Sequence, residues 1–489
     1  MTRPTLAALR TLALTTLALS ACAVGPNFHT PPAPTLSRYT PEALPPTTGA
    51  TATRGGADQT FVQGQDVAGQ WWTLFGSQAL DDLVARALKA NPDLAAARAA
   101  LRAAQENYLA QRGALLPTAG AEFNVTRQQA SGTPAPPLSS NNNLFTLYTA
   151  QLAISYVPDL FGGIRRQTET AKAQAEAQRF ETEAAYLTLT TNVVVGAIQE
   201  GSLSEQVEAT RRVIRAETEV LEILRRQKAL GQVSGLDVAN QESALAQAEA
   251  MLPPLEKQLA QQRDQMAYLT GRAPSEAPEP PLDLGGLTLP AALPVSLPSK
   301  LVEQRPDVRA AEANLHAASA QVGVAIANRL PNVTLTANAG GASTSLSSLF
   351  SQGNGFWGVA ADAAQPIFQG GTLLHRQKAA EAALAQAKAQ YRAAVLAAFQ
   401  NVADTLQALQ ADSRALAAAA RAEKSAESAL VITRRQLALG QVSGPSVLLA
   451  EQAYQQALVT RLQAEAGRYA DTVALFQALG GGWWNRKDV

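Results

Sequence analysis

The chain holds a single cysteine, Cys22, and its surroundings favour modification of the thiol over pairing. Arg3 and Arg10 flank the start of a weakly basic leader, and the apolar run Leu12-Ala13-Leu14-Thr15-Thr16-Leu17-Ala18 follows. Leu19-Ser20-Ala21 then sets small residues directly before the thiol. Basic, apolar and small regions in that order make a secretory leader over residues 1–21. A lone exported cysteine cannot close an internal disulfide, which leaves acylation of Cys22 as the chemistry open to it. The plainer alternative is a leader followed by a stray buried cysteine. His29, His316 and His375 are scattered, with no Cys, His or acidic neighbours at metal-ligand spacing. No phosphate-binding Gly-x4-Gly-Lys-Ser/Thr loop and no nucleophile elbow is present. The chain is therefore expected to be no enzyme and to need neither metal nor cofactor.

Composition narrows the elements that could position anything else. The 489 residues carry 40 basic and 40 acidic side chains, so no net field points to nucleic acid or anionic lipid. Charged residues make up 16% and aromatics 5%, while Ala, Gln and Leu fill long stretches, which suits long helices packed through small side chains. After the leader no run of about 18 uncharged apolar residues occurs, so a bilayer could be crossed only by strands. Residues 22–65, rich in Pro, Thr, Gly and Ala, read as an extended tether held only in places.

An internal repeat organises the rest. Asn91-Pro92-Asp93-Leu94 returns as Arg305-Pro306-Asp307-Val308, and Leu116-Pro117 as Leu330-Pro331, both 214 residues on. Phe161-Gly162-Gly163 matches Phe368-Gln369-Gly370-Gly371. Gly231-Gln232-Val233-Ser234-Gly235 is repeated letter for letter at Gly440-Gln441-Val442-Ser443-Gly444, 209 residues on. Two copies follow, 66–271 and 298–480, joined by a linker over 272–297 and ended by a tail over 481–489. Each copy reads α-β-β-α-α. A helical stretch comes first, about 78–115 and 298–329, closed before Pro117 or Pro331. Period-two alternation then predicts strands over about 118–126, 147–157, 332–340 and 356–365, with loops over 127–143 and 343–355 between them. Ala119, Ala121, Phe123 and Val125 share one face; Gly120, Glu122, Asn124 and Thr126 share the other. These could be two ordinary soluble hairpins. Strands of eight to ten residues can also cross a bilayer when tilted, but four cannot close a barrel, and an open edge in lipid is forbidden. A membrane reading thus requires several chains to share one barrel.

From Gly163 to Leu230 and from Gly371 to Leu439 no proline occurs, enough for two helices of about 100 Å each. Apolar residues recur at coiled-coil spacing, Leu203, Val207, Ile214, Leu221 and Leu224 in one and Leu409, Leu416, Leu430 and Leu437 in the other. Each meets its Gly-Gln-Val-Ser-Gly turn, at 231–235 and 440–444, and returns as a second helix over about 236–270 or 446–479. A solid coiled-coil stalk is one outcome. In a trimer, twelve helices spaced about 10 Å apart would instead ring a lumen of about 28 Å, whereas a dimer's ring would leave about 15 Å.

The Leu-Ser-Ala-Cys tetrad resembles a bacterial lipobox, and Ala23 after Cys22 suggests outer-membrane sorting. Together with Trp71-Trp72-Thr73-Leu74-Phe75, the duplicated Pro-Asp helices, Phe-Gly-Gly and the twin Gly-Gln-Val-Ser tips, it resembles the outer membrane factor family, in its nodulation-T lipoprotein branch. The resemblance covers about residues 65–485. It implies a mainly α fold with a membrane portion: a homotrimer sharing a 12-stranded β-barrel, continued by a long periplasmic α-helical barrel. It implies the outer-membrane channel of a tripartite efflux pump, a passive exit duct for small molecules such as drugs. The implied partners are a periplasmic adaptor and an inner-membrane resistance–nodulation–division transporter, with outer-membrane lipid around the barrel. By the same resemblance Gly231, Gln232, Val233, Ser234, Gly440, Gln441, Val442 and Ser443 would meet the adaptor. The family often carries aspartates just past the second tip. Here Ser446 and Leu449 stand there, leaving Asp237 and Glu451 as candidate pore-aperture acids; Asp237 could equally be an ordinary acid of a helix first turn. A duct for type I protein secretion and a non-pore coiled-coil scaffold remain the alternatives.

Overall fold

A computed structural model describes residues 23–129, 144–276 and 281–486. The leader, Cys22, most of the expected 127–143 loop, part of the linker and residues 487–489 lie outside the described residues. The chain divides into two compact units.

The first unit comprises residues up to Pro31, Ala100–Gln178 and Ala310–Tyr391. It holds an antiparallel sheet ordered β2-β3-β5-β6, from β2 (Thr118–Gln129), β3 (Leu144–Tyr156), β5 (Asn332–Ser343) and β6 (Gly355–Ala364). The strands outrun the expected bounds at the loop ends, where Gln129 pairs with Leu144 and Tyr148 with Ser343. At the other end β3 stops at Tyr156, because Pro158 cannot donate to a ladder.

Residues directly opposite in an antiparallel ladder share a face. Ala121, Leu152, Ala339 and Trp357 form one such row, and Ala119, Ile154, Ala337 and Val359 the next. The opposite face carries Asn124 with Thr149, and Thr118, Ser155 and Thr336 in one row. The register therefore gathers most apolar residues of the strands on one side, Phe145 and Leu147 at the loop end of β3 lying on the other. Within the single chain that side is bare: Trp357 is 80% exposed and Leu152 65%. Strands β2 and β6 each keep one edge unpaired among the described residues.

The second unit comprises Pro32–Ala99, Arg179–Arg309 and Arg392–Val489. The helices of the chain, several with residues in each unit, are α1 (Gln78–Ala90), α2 (Pro92–Gly113), α3 (Gly163–Ala229), α4 (Gly235–Leu269), α5 (Pro298–Gln304), α6 (Pro306–Ala327), α7 (Thr372–Ala438) and α8 (Gly444–Ala478). The two long helices have 67 residues each and the two return helices 35 each, so the duplication preserves length where sequence has diverged. Leu203, Val207 and Leu221 on α3, and Leu409, Leu416 and Leu430 on α7, are buried as their spacing predicts. Leu437 is exposed at the end of its helix.

The helical stretches expected over about 78–115 and 298–329, opened by Asn-Pro-Asp or Arg-Pro-Asp, are each two helices with that motif at the junction. Asn91 (ψ 125°) and Arg305 (ψ 122°) are extended because each precedes a proline, whose ring crowds the α conformation. Asn91 then caps α2, its Oδ1 accepting from the Leu94 amide at 2.9 Å. Each break also ties down the end of its own repeat. Asn91 Nδ2 donates to the Leu269 carbonyl at 3.1 Å, and Arg305 Nη1 donates to the Ala478 carbonyl at 3.1 Å. Gly271 (φ +70°) and Gly480 (φ +91°) complete the match, for a Cβ on either would lie 2.3 Å from Ala90 O or 2.5 Å from Gln304 O.

The expected tether and linker prove to be partners. Strand β1 (Thr60–Gln63), in the tether, pairs in parallel with β4 (Ala292–Val295), in the linker. They adjoin an aromatic core in which Trp71 stacks on Phe476 at 5.4 Å and Phe75 packs on Tyr469 at 6.3 Å. The described part of the tail also packs. Trp483 meets Phe180 edge-on at 5.7 Å and donates from Nε1 to the Gln304 carbonyl at 2.7 Å.

Candidate functional site

The repeated pentapeptides close both long helices in the same way. At the first, Gly231 (φ +72°) donates to the Lys228 carbonyl at 2.9 Å and Gln232 to the Gln227 carbonyl at 2.9 Å. At the second, Gly440 (φ +69°) and Gln441 make the equivalent bonds to Leu437 and Gln436, each 2.9 Å. This paired pattern satisfies the last carbonyls of a helix and requires a left-handed residue, hence glycine. Gln232, Ser234, Gln441 and Ser443 are exposed; Val233 and Val442 are half-buried.

The returns differ. Ser234 Oγ accepts from the Asp237 amide at 3.2 Å, and Asp237 Oδ2 accepts from the Ser234 amide at 2.9 Å, a reciprocal capping box. These bonds from Ser234, side chain first and then backbone, hold the Asp237 carboxyl below the usual carboxylate range. The second copy has Ser446 where the first has Asp237, and Ser443 caps nothing with its side chain.

Glu451 stands in different surroundings. It is buried, and its Oε1 accepts from Arg434 Nη2 at 2.7 Å. Its carboxyl lies beside that of Glu217, which Gln241 contacts through its amide. Burial, then the neighbouring Glu451 carboxyl, pushes Glu217 up to about 7. One polar cluster thus joins α3, α4, α7 and α8. A second acid pair lies between α7 and α8, where burial and then contact with Asp471 push Asp412 up to about 7.

Asp237 and Glu451 therefore have separate partners, one at the cap and one within the helical bundle. Sequence reasoning missed Glu217, whose contact with Glu451 is non-local. It also missed two exposed leucines beside the tip glycines, Leu230 at 73% and Leu439 at 64%. Their signal was available: an apolar residue directly before a helix-ending glycine, in both copies. Among the described residues no group of His, Cys, Asp and Glu is arranged to hold a metal, and no helix is long and apolar enough to cross a membrane.

Comparison with known proteins accounts for this architecture. The model of the outer membrane efflux protein family matches residues 83–272 and 297–481, the two repeats. The chain is 30% identical over 443 residues to the pyoverdine export outer membrane protein OpmQ of Pseudomonas putida, covering 90% of this chain and 94% of that one. It is 27% identical to the probable outer membrane lipoprotein SilC of Salmonella typhimurium, covering 97% of this chain and 99% of that one. Among solved structures, the outer-membrane channel OprN superposes with a TM-score of 0.82 at 25% identity, covering 94% of this chain and all of that one. With its two repeats matched and its fold shared with a solved channel, the chain belongs to the outer membrane efflux protein family, a family of channels of the outer membrane.

Proposed function

We propose that this protein is the passive exit duct of a tripartite efflux pump, a homotrimer anchored to the outer membrane through acylated Cys22. The sheet carries the reading. It has one apolar face, one polar face and two unpaired edges, which suits a segment of a wall between lipid and water. Three such sheets, β6 of one chain beside β2 of the next, would make twelve strands and remove every edge. The long helices would continue that wall as the periplasmic tube, in the ring of about 28 Å bore estimated from helix spacing. The likeness to SilC, a probable outer membrane lipoprotein, supports the anchor. The likeness to OpmQ, a pyoverdine export outer membrane protein, supports small-molecule cargo.

The tips are proposed to meet the adaptor through Gly231, Gln232, Val233, Ser234 and their counterparts Gly440, Gln441, Val442 and Ser443, with Leu230 and Leu439 as apolar knobs. Exposed leucines held beside rigid turns are suited to a protein contact. An inner-membrane transporter would supply the energy. Two experiments test the proposal. The purified protein should conduct ions in planar bilayers, and a chain that never opens a conductance is a scaffold instead. Replacing Gly440 and Ser443 with tryptophan should abolish efflux while the trimer persists; unchanged drug accumulation in that variant would sink the docking role.

A further inference from the structure

The residues that follow Cys22 do not behave as a loose tether. In the first unit, Ala23–Phe28 lies in a groove built from both repeats. The Val24 amide donates to the Phe161 carbonyl at 3.1 Å. Arg166, only 4% exposed, donates from Nε to the Val24 carbonyl at 3.1 Å and from Nη2 to the Gly25 carbonyl at 3.4 Å and Asn27 Oδ1 at 2.7 Å. Its Nη1 donates to Glu169 at 2.7 Å, and the other oxygen of that carboxylate meets His316 Nε2 at 2.8 Å. The His316 ring stacks on Phe28 at 4.3 Å and 11°.

Two glycine contacts make this fit specific. Gly25 (φ +92°) lies against Gly323 on α6, and a Cβ on Gly25 would come within 2.4 Å of the Gly323 Cα. A Cβ on Gly162, beside the start of α3, would come within 2.5 Å of the Ala23 Cβ. The seat is also incomplete when empty. Without the segment, the buried Arg166 guanidinium keeps Glu169 but loses three acceptors, and an under-satisfied buried charge is costly.

We infer that this groove is a binding site for the chain's own N-terminal segment, and that docking Ala23–Phe28 is an assembly step that staples α3 of the first repeat to α6 of the second. The inference rests on the proposed removal of the leader at residue 21 and on the proposed trimer. While the leader holds the segment in another membrane, the staple cannot reach its seat, so docking would make assembly wait for maturation. The segment then has two separable duties, carrying the acyl anchor and completing the fold beside the sheet.

The experiment uses the full chain, acylated and purified from outer membranes. Hydrogen exchange should show the Val24 amide protected at least about tenfold over an unfolded peptide. Exchange at the unprotected rate in the intact protein overturns the inference. Replacing Val24–Phe28 with Gly and Ser residues of equal number, Ala23 kept, should leave acyl incorporation unchanged while trimer yield falls several-fold. An unchanged yield also overturns it. R166A should behave likewise, and H316F, which keeps the ring stack, should retain more trimer than H316A. Equal loss in the two His316 variants counts against the seat. Absence of acyl groups on the parent protein would refute the anchor alone, since the exchange readout does not depend on it.

Discussion

The Glu451 carboxyl on α8 lies beside that of Glu217 on α3, and burial together with this acidic neighbour favours the protonated form of Glu217. The folded chain therefore holds a proton on Glu217 up to about pH 7, whereas a free glutamate loses it near 4.5. Between those values the folded state binds more protons than the unfolded state, so stability falls as pH rises and levels off above about 7. Asp412 beside Asp471 acts in the same direction, over a range that starts lower, near 3.8, and ends at about 7. Melting curves across this range should show the slope in the parent, a smaller slope in Glu217→Gln, and the smallest in Glu217→Gln with Asp412→Asn. Equal slopes in all three would refute the raised carboxyls.

The two tips look alike in sequence and should differ in strength. Ser234→Ala removes a reciprocal cap and should cost the start of α4 about 1 kcal/mol. Ser443→Ala removes no side-chain cap and should cost α8 only a few tenths by that measure. Amide exchange in the first turn of each return helix reads the difference, and equal acceleration in both contradicts it.

Trp71, 1% exposed, is stacked on Phe476 and contacted edge-on by Trp72 and Phe75. Trp71→Ala should destabilise the second unit by about 3–5 kcal/mol. Trp71→Phe should cost less, and thermal melts of the purified protein rank the two.

The sheet register predicts which strand positions meet lipid. Leu152→Arg should cost assembly in bilayers about 2–4 kcal/mol if its row lies near mid-membrane. Thr149→Arg, in the polar set, should change ion selectivity with little loss of assembled protein. Folding into vesicles, followed by conductance, separates the outcomes.

Much of this fold was legible because duplication wrote it twice. Two identical pentapeptides located both tips, and glycine in the left-handed region explains why the letters had to recur. The helix breaks at Asn91 and Arg305 were also readable, since each precedes a proline that opens the next helix. The pairing of β1 with β4 had no such signal. Each strand has four residues, too few for a period, and the partners lie more than 200 positions apart. The Glu217–Glu451 contact was hidden for a similar reason: burial creates it, and neither residue's neighbours announce it. The Ala23–Phe28 seat depends on Gly162 and Gly323, two small residues whose meaning appears only when another backbone lies against them.

The bare edges of β2 and β6 carry a genetic consequence. In the proposed trimer each chain depends on two neighbours to finish its wall, so one defective copy spoils the sound chains beside it. With normal and poisoned chains made in equal amounts and mixed at random, only about one trimer in eight would be wholly normal. A variant with an altered β2 edge should therefore behave as a dominant allele, sensitising cells that still carry an intact gene.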